Sequence, residues 1–312
     1  MNRVILTENL TKEYRIGFRL QKVRAIENLN LEVFSHEIFG FLGPNGAGKT
    51  TTIKILVGLA HPTTGRAFLF GKPPNHIDTK RRIGFLPESP YFYEYLNAKE
   101  YLEFCCQVSG IKDNVRQRIN RLLELVRLAP FAKLPVRNYS RGMLQRLGIA
   151  QVMVTDPELV ILDEPMGGLD PIGRREFRDI IISLKEQGKT VFFSTHILTD
   201  VEMICDRVGI ILNGKLVSTG QLDKILAEKL ETIDIVAEGL DHKTIRAIEK
   251  IATKVITTDN RALITVANEE TAERILTIIR EVRAKLVSLQ PRRKTLEDHF
   301  ISQIQKERLK EI

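Results

Sequence analysis

Tryptophan is absent from the 312 residues, and cysteine is scarce: Cys105, Cys106 and Cys205 are the only three. Two adjacent cysteines and a distant third form no C-x-x-C pair, which excludes a disulfide scaffold and points to a reducing compartment. No stretch reaches the roughly 18 consecutive apolar residues that a bilayer crossing needs. The start shows no export signal: the apolar run Val4–Leu6 is short and Glu8 follows it closely. The chain is therefore expected in the cytosol, with any membrane role coming through a partner. Internal repeats and low-complexity tracts are also missing. The composition, 43% hydrophobic and 28% charged, is that of a globular protein, and the length suits about two domains.

Charge is unbalanced in one direction. Lys and Arg number 47 against 39 Asp and Glu, a formal charge of +8, and nearly all of the excess lies before residue 231. Such an excess suits an anionic ligand, an anionic lipid surface or nucleic acid, and by itself chooses none of them.

Short apolar runs bounded by turn residues predict strands at Val4–Leu6, Leu29–Phe34, Ile38–Leu42, Phe68–Phe70, Ile83–Leu86, Leu159–Leu162 and Thr190–Ser194. A basic stretch (Arg15, Arg19, Lys22, Arg24) lies between the first two. Thr51–Leu59 has helical character, as does 91–154, where Leu122, Leu123, Leu125 and Val126 recur beside Arg and Glu. Strands alternating with helical runs predict an α/β domain with a mainly parallel core sheet. The texture changes after about Leu230. Strands at Thr232–Val236, Lys254–Thr258, Ala262–Val266 and Lys285–Leu289 interleave with helices at Lys243–Ile251 and Glu270–Arg280. The order β-α-β-β-α-β is the split pattern of a small ferredoxin-like unit. An amphipathic helix over about Leu296–Leu309 follows.

Gly43-Pro44-Asn45-Gly46-Ala47-Gly48-Lys49-Thr50 fits G-x-x-x-x-G-K-[ST], with a predicted strand before it and a helix after it. The glycines let backbone N–H groups turn inward on phosphate oxygens. Lys49 neutralises the β- and γ-oxygens, and the Thr50 hydroxyl can ligate Mg²⁺. The helix that runs on through Thr51 points its N-terminus at the anion. Val160-Ile161-Leu162-Asp163-Glu164 is an apolar strand ending in two carboxylates. Asp163 falls beside the metal, and Glu164 can act as general base on a water facing the γ-phosphate. No Asn-Lys-x-Asp guanine reader is present, which counts against a GTPase. On these two elements alone a P-loop kinase stays open.

The segment Asn138-Tyr139-Ser140-Arg141-Gly142-Met143-Leu144-Gln145-Arg146 resembles the signature of ABC-type ATPases, whose commonest form is Leu-Ser-Gly-Gly-Gln. Ser140 and Gly142 match. Tyr139, Arg141 and Met143 depart in the manner of the export-type branch. The resemblance covers about residues 3–225, with its motifs in family order. Tyr14 matches the aromatic that stacks on adenine. Gly168-Leu169-Asp170 resembles the loop that crosses to a partner subunit, and His196 the switch histidine that contacts the γ-phosphate. Glu88, in Gly84-Phe85-Leu86-Pro87-Glu88, stands where most members carry glutamine at the metal or the attacking water. Met166-Gly167 is a lesser departure. The tail Thr295–Ile301 is similar to the C-terminal extension of export-type members.

The resemblance implies a P-loop NTPase core with a mainly parallel sheet, an antiparallel β subdomain and an α-helical subdomain, plus a small α+β, ferredoxin-like C-terminal domain. The expected division is 1–228, with the helical part at about 89–157, and 229–312. It implies ATP and Mg²⁺ as ligands. Catalysis would fall to Glu164, His196 and Lys49. Nucleotide binding would fall to Tyr14, Gly43, Pro44, Asn45, Gly46, Ala47, Gly48, Lys49, Thr50, Thr51, Ser140 and Gly142, and the metal to Thr50, Glu88 and Asp163. Two copies would close head to tail around two ATP. They would drive transport, in the export direction, through separate transmembrane permease subunits, from the cytoplasmic face of the membrane. The contact would lie at roughly Ser89–Cys106, where Tyr91, Phe92, Tyr93 and Tyr95 cluster. No nucleic-acid partner is expected. The alternative is a soluble ABC-type ATPase acting on nucleic acid or ribosomes; against it stands the single ATPase unit.

Overall fold

The computed structural model describes residues 2–16, 21–226, 230–258, 260–293, 296–301 and 305. It divides into two units, Met1–Leu222 and Asp223–Ile312. The first opens with β1 (Arg3–Ile16), β2 (Gln21–Leu29) and β3 (Glu32–Phe34). β4 (Ile38–Leu42) leads into α1 (Lys49–Leu56), followed by β5 (Thr64–Leu69), α2 (Ile77–Arg82) and β6 (Ile83–Leu86). Three helices come next: α3 (Ala98–Val108), α4 (Val115–Leu125) and α5 (Arg141–Val152). Then β7 (Leu159–Leu162), α6 (Pro171–Glu186), β8 (Thr190–Thr195), α7 (Leu198–Ile204), β9 (Arg207–Leu212) and β10 (Lys215–Gln221) complete it.

The core is a six-stranded sheet in the order β10-β9-β4-β8-β7-β6. Every pair in it is parallel except β10 with β9. β4, β7 and β8 are buried along their whole length, as central parallel strands covered on both faces must be. Phe39 and Phe192 stack across the neighbouring strands β4 and β8, with centroids 5.7 Å apart. A second sheet, antiparallel, pairs β1 with β2, β3 and β5. Together they give the α/β core and the antiparallel β subdomain that the motifs imply.

Several boundaries differ from the sequence reading. Leu29–Phe34 is two strands rather than one. Thr7 Oγ1 donates to Leu29 O (2.9 Å) and accepts from Leu31 N–H (2.8 Å), and the Asn30 carboxamide accepts from Asn9 N–H at 2.8 Å. These bonds replace ladder hydrogen bonds and break the strand. Of the basic stretch, Arg15, Lys22 and Arg24 belong to the paired strands β1 and β2, and Arg19 lies outside the described residues. β5 starts at Thr64, and Phe70, with φ 53°, turns out of it. The segment 89–97 holds no helix; α3 begins where Asn97 and Glu100 form a reciprocal capping box. Burial raises all three thiols above the ordinary value, Cys105 to about 11, so none is a reactive thiolate.

α8 (Leu222–Leu226) spans the junction; Leu222 is buried and its N–H donates to Asp206 O. The second unit consists of β11 (Leu230–Glu238), α9 (His242–Glu249), β12 (Lys254–Thr258), β13 (Arg261–Val266), α10 (Glu269–Glu281) and β14 (Lys285–Arg293). Its sheet runs β12-β13-β11-β14, antiparallel throughout. Alternate residues of β11 and β13 pack with Ile248 of α9 and with Ala272, Ile275 and Ile279 of α10 in one apolar core. Helix follows at 296–301; of the predicted continuation to Leu309, residues 302–304 and 306–309 lie outside the described residues.

The strand break makes a testable point. Thr7→Val keeps the shape of a side chain that is 2% exposed but strands the Leu29 carbonyl and the Leu31 N–H. The expected cost is about 1–3 kcal/mol, read from the midpoint of urea unfolding.

Candidate functional site

The loop between β4 and α1 is built to face an anion. Gly48, the residue before α1, has φ 107°, and its helix start carries neither a side-chain cap nor an acidic residue in the first turn. A Cβ at Gly48 would sit 2.5 Å from Ala25 O, so this position admits only glycine. The first N–H groups of the helix therefore have no partner of their own. Lys49 is 5% exposed. Its Nζ donates to Gly43 O at 2.6 Å and Pro44 O at 3.1 Å, and lies 3.0 Å from Glu164 Oε1.

Two carboxylates arrive from the end of β7. Register brings Leu162 opposite Phe193 of β8, so the next residues, Asp163 and Ser194, meet. Ser194 Oγ donates to Asp163 Oδ1 (2.6 Å) and accepts from Glu164 N–H (2.9 Å). Thr50 Oγ1 donates to the same Asp163 oxygen at 3.3 Å. Glu164 has φ 46°, a left-handed backbone that costs a non-glycine residue roughly 1–2 kcal/mol. The turn swings its carboxylate back to Lys49 and to His196, whose Nδ1 is 2.9 Å from Glu164 Oε2. The Lys49 contact lacks hydrogen-bond geometry, which leaves Glu164 Oε1 a buried acceptor without a donor.

A cavity of about 450 Å³ opens over this cluster. Of the residues expected from sequence, it is lined by Asn45, Gly46, Gly48, Lys49, Thr50, Thr51, Glu88, Glu164 and His196. Gly43 and Pro44 contribute carbonyls to Lys49 instead. Ala47 is buried under the loop and accepts from Gly214 N–H. Asp163, 3% exposed, stands behind Thr50. Tyr14 is on the β1–β2 hairpin, its ring centroid 5.0 Å from Lys12 Nζ, and is not part of the lining. Ser140 and Gly142 are off the lining as well. Ser140 caps α5, its Oγ accepting from Met143 N–H at 3.3 Å. Asp170 likewise caps α6, accepting from Gly173 N–H at 2.7 Å.

Four participants escaped the sequence reading: Ala25, Gly167, Ser194 and Gln145. Ala25 and Gly167 complete the cavity wall. Gln145, on the helix that Ser140 caps, is 3% exposed and donates through Nε2 to Glu88 O at 3.0 Å. It ties that helix to the loop carrying Glu88. A serine among apolar strand residues has no sequence signal; only the β7–β8 register reveals its task.

Thr50 and Asp163 supply two adjacent hard oxygens, a donor set that fits Mg²⁺ completed by phosphate oxygens and water. A pocket lined by glycines, a lysine, two threonines, a histidine and the carboxylates of Glu88 and Glu164, at the start of a helix, is suited to a nucleoside triphosphate. Ser194→Ala should cost about 1–3 kcal/mol, because it strands Glu164 N–H and leaves Asp163 Oδ1 only its longer bond from Thr50. Chemical denaturation measures that, and a weakened Mg²⁺ dependence of nucleotide binding should accompany it.

Comparison with known proteins agrees with this geometry. The profile of the ABC transporter family matches residues 26–167. An uncharacterized ABC transporter ATP-binding protein of Nostoc sp. is 44% identical over 97% of this chain and 90% of its own length. The bacitracin transport ATP-binding protein BcrA of Bacillus licheniformis is 44% identical over 72% of each. Among solved structures, the ATP-binding subunit of an ABC transporter superposes with TM-score 0.62 at 30% identity, covering 72% of this chain and 92% of that one. A dimeric ATP-binding cassette in a post-hydrolysis state with ADP and Pi gives TM-score 0.62 at 25% identity, covering 70% and 98%. Kinship this close along nearly the whole length settles the family: the chain belongs to the ABC transporters, as an ATP-binding subunit.

Proposed function

We propose that this subunit hydrolyses ATP to drive export, with two copies closing around two nucleotides and separate membrane-spanning subunits forming the path. One observation carries the pairing. Ser140 and Gly142 begin a 12-residue helix with no acidic residue in its first turn, an anion site by its dipole and free N–H groups. Yet they lie off the wall of the cavity that the chain's own phosphate loop lines. A second copy of the chain would complete that cavity with the same segment. The named dimeric relative with ADP and Pi supports this, and the relatives named for bacitracin and lantibiotic transport support export.

No described helix is long and apolar enough to cross a membrane; in this reading translocation is the work of separate membrane-spanning subunits, with this one at the cytoplasmic face. The surface for them is the aromatic group after Glu88. Tyr91 and Tyr95 are 84% and 75% exposed, while Phe92 is buried. Tyr93 packs edge-on against Phe104, with centroids 5.2 Å apart. Aromatic side chains of this kind anchor interfaces.

The chemistry follows from the Lys49–Glu164 pair. Phosphate oxygens entering the loop compete with Glu164 for Lys49, and the released carboxylate takes a proton from water directed at the γ-phosphate. His196 holds the other carboxylate oxygen and so sets the base's direction. Tyr14 supports adenine from the hairpin. Thr50 and Asp163 would hold Mg²⁺, which would supply positive charge to the phosphates, and Glu88 lies on the wall that Thr50 also lines.

Glu164→Gln should therefore keep ATP binding and lose turnover by about 100-fold or more, accumulating a two-copy complex on size exclusion. Wild-type phosphate release from that variant would refute the assignment. Lys49→Ala should instead lose nucleotide affinity in a fluorescent-nucleotide titration. Glu88→Gln removes a charge from the cavity and should change the Mg²⁺ concentration needed for half-maximal turnover; an unchanged value removes Glu88 from the metal's surroundings.

A further inference from the structure

His196 follows the last residue of β8 and is separated from α7 by Ile197 alone. α7 is seven residues long, and Ile197 gives it no side-chain cap. So short a helix has little stability of its own, and its direction has to come from what grips it. Two ion pairs do so, both reaching from α6. Arg178 Nη1 donates to Asp200 Oδ1 at 2.7 Å, with the two side chains 17% and 1% exposed. Lys185 Nζ donates to Asp206 Oδ1 at 2.5 Å, just beyond the end of α7. α6 starts at the cap Asp170, in the Gly168–Asp170 loop. One rigid helix thus has that loop at one end and its grip on α7 along its length.

The inner pair is a poor device for stability alone. Asp200 Oδ2 is buried without a hydrogen-bond partner. An apolar pair of similar volume would hold two helices as well or better, since desolvation consumes most of the Coulombic gain. What a guanidinium–carboxylate bond adds is direction: it fixes the rotation and height of α7 against α6. Asp200 lies in the first turn of α7, so that setting is delivered close to His196.

We propose that Arg178 and Asp200 are positioning residues for His196, and that α6 carries to the histidine the position of the Gly168–Asp170 loop. A shift of that loop, on closure with a second copy, moves α6, then α7, then the imidazole on Glu164. The proposal rests on the role given above to His196.

The test is steady-state phosphate release by the full chain, with kcat and KM for Mg-ATP separated and the thermal midpoint recorded. Four variants serve: Asp200→Asn, the repacked double variant Arg178→Leu with Asp200→Leu, His196→Ala, and His196→Ala with Asp200→Asn. Asp200→Asn should lower kcat by about tenfold or more, as misplacement of a reacting group does. KM should stay within about twofold, because ground-state nucleotide binding is untouched. The Leu–Leu variant should recover the thermal midpoint without recovering kcat. In the His196→Ala background, Asp200→Asn should cause no further loss. Wild-type kcat in the Leu–Leu variant, or a full additive loss beside His196→Ala, overturns the positioning role while leaving that of His196 intact. Wild-type turnover in His196→Ala alone overturns both.

Discussion

A buried lysine facing a buried glutamate is the contact around which this molecule is arranged. Lys49 and Glu164, 3.0 Å apart at 5% and 10% side-chain exposure, come from the start of α1 and the end of β7. β8 lies between β4 and β7 in the sheet. Removing one member of a buried pair costs about 3–5 kcal/mol, because the other is left uncompensated. A polyanion that takes over the lysine therefore has to leave the glutamate another partner, and His196 and solvent supply it. In the proposed mechanism, ligand entry and activation of Glu164 are then two sides of one exchange.

That exchange needs rigid walls. β4, β7 and β8 are wholly buried, and Phe39 and Phe41 of β4 both pack on Phe192 of β8. Close-packed interiors do not yield by fractions of an ångström at low cost, so Asp163, Ser194 and the phosphate loop keep their spacing. Left-handed backbone occurs at several turns, Phe70 and Arg127 among them, and within the candidate site it falls on Glu164. The surrounding elements are gripped by polar ties rather than packing alone: Gln145 to the Glu88 loop, Arg178 to α7, Thr195 O to Gly43 N–H. Such ties are directional, which suits a machine whose parts move as bodies. The second unit stands apart in kind. Its apolar core is its own.

The residues expected to handle phosphate were readable because phosphate chemistry leaves little choice. A glycine loop, one lysine, one hydroxyl and a strand ending in two carboxylates announce themselves by type and spacing. The α/β alternation and the β-α-β-β-α-β order after Leu230 were readable for a similar reason: hydrophobic period follows from burial on one face or two. What escaped was whatever depends on a neighbour distant in sequence. Thr7 cuts Leu29–Phe34 in two from 22 residues away. Ser194 acquires its task from Asp163 through strand register, 31 residues apart.

The sequence by itself determined the phosphate-loop pattern, the carboxylates and lysine proposed to handle a nucleotide, and the alternation of strands and helices. Those follow from local chemistry and local period. Only the tertiary structure decided that Lys49 rests on Glu164, that Ser194 and Gln145 belong to the site, and that Ser140 and Gly142 lie off its wall. It alone set Arg178 of α6 against Asp200 of α7. Each of these is a distance between segments far apart in the chain, and no periodicity encodes such a distance; sheet register and helix packing do.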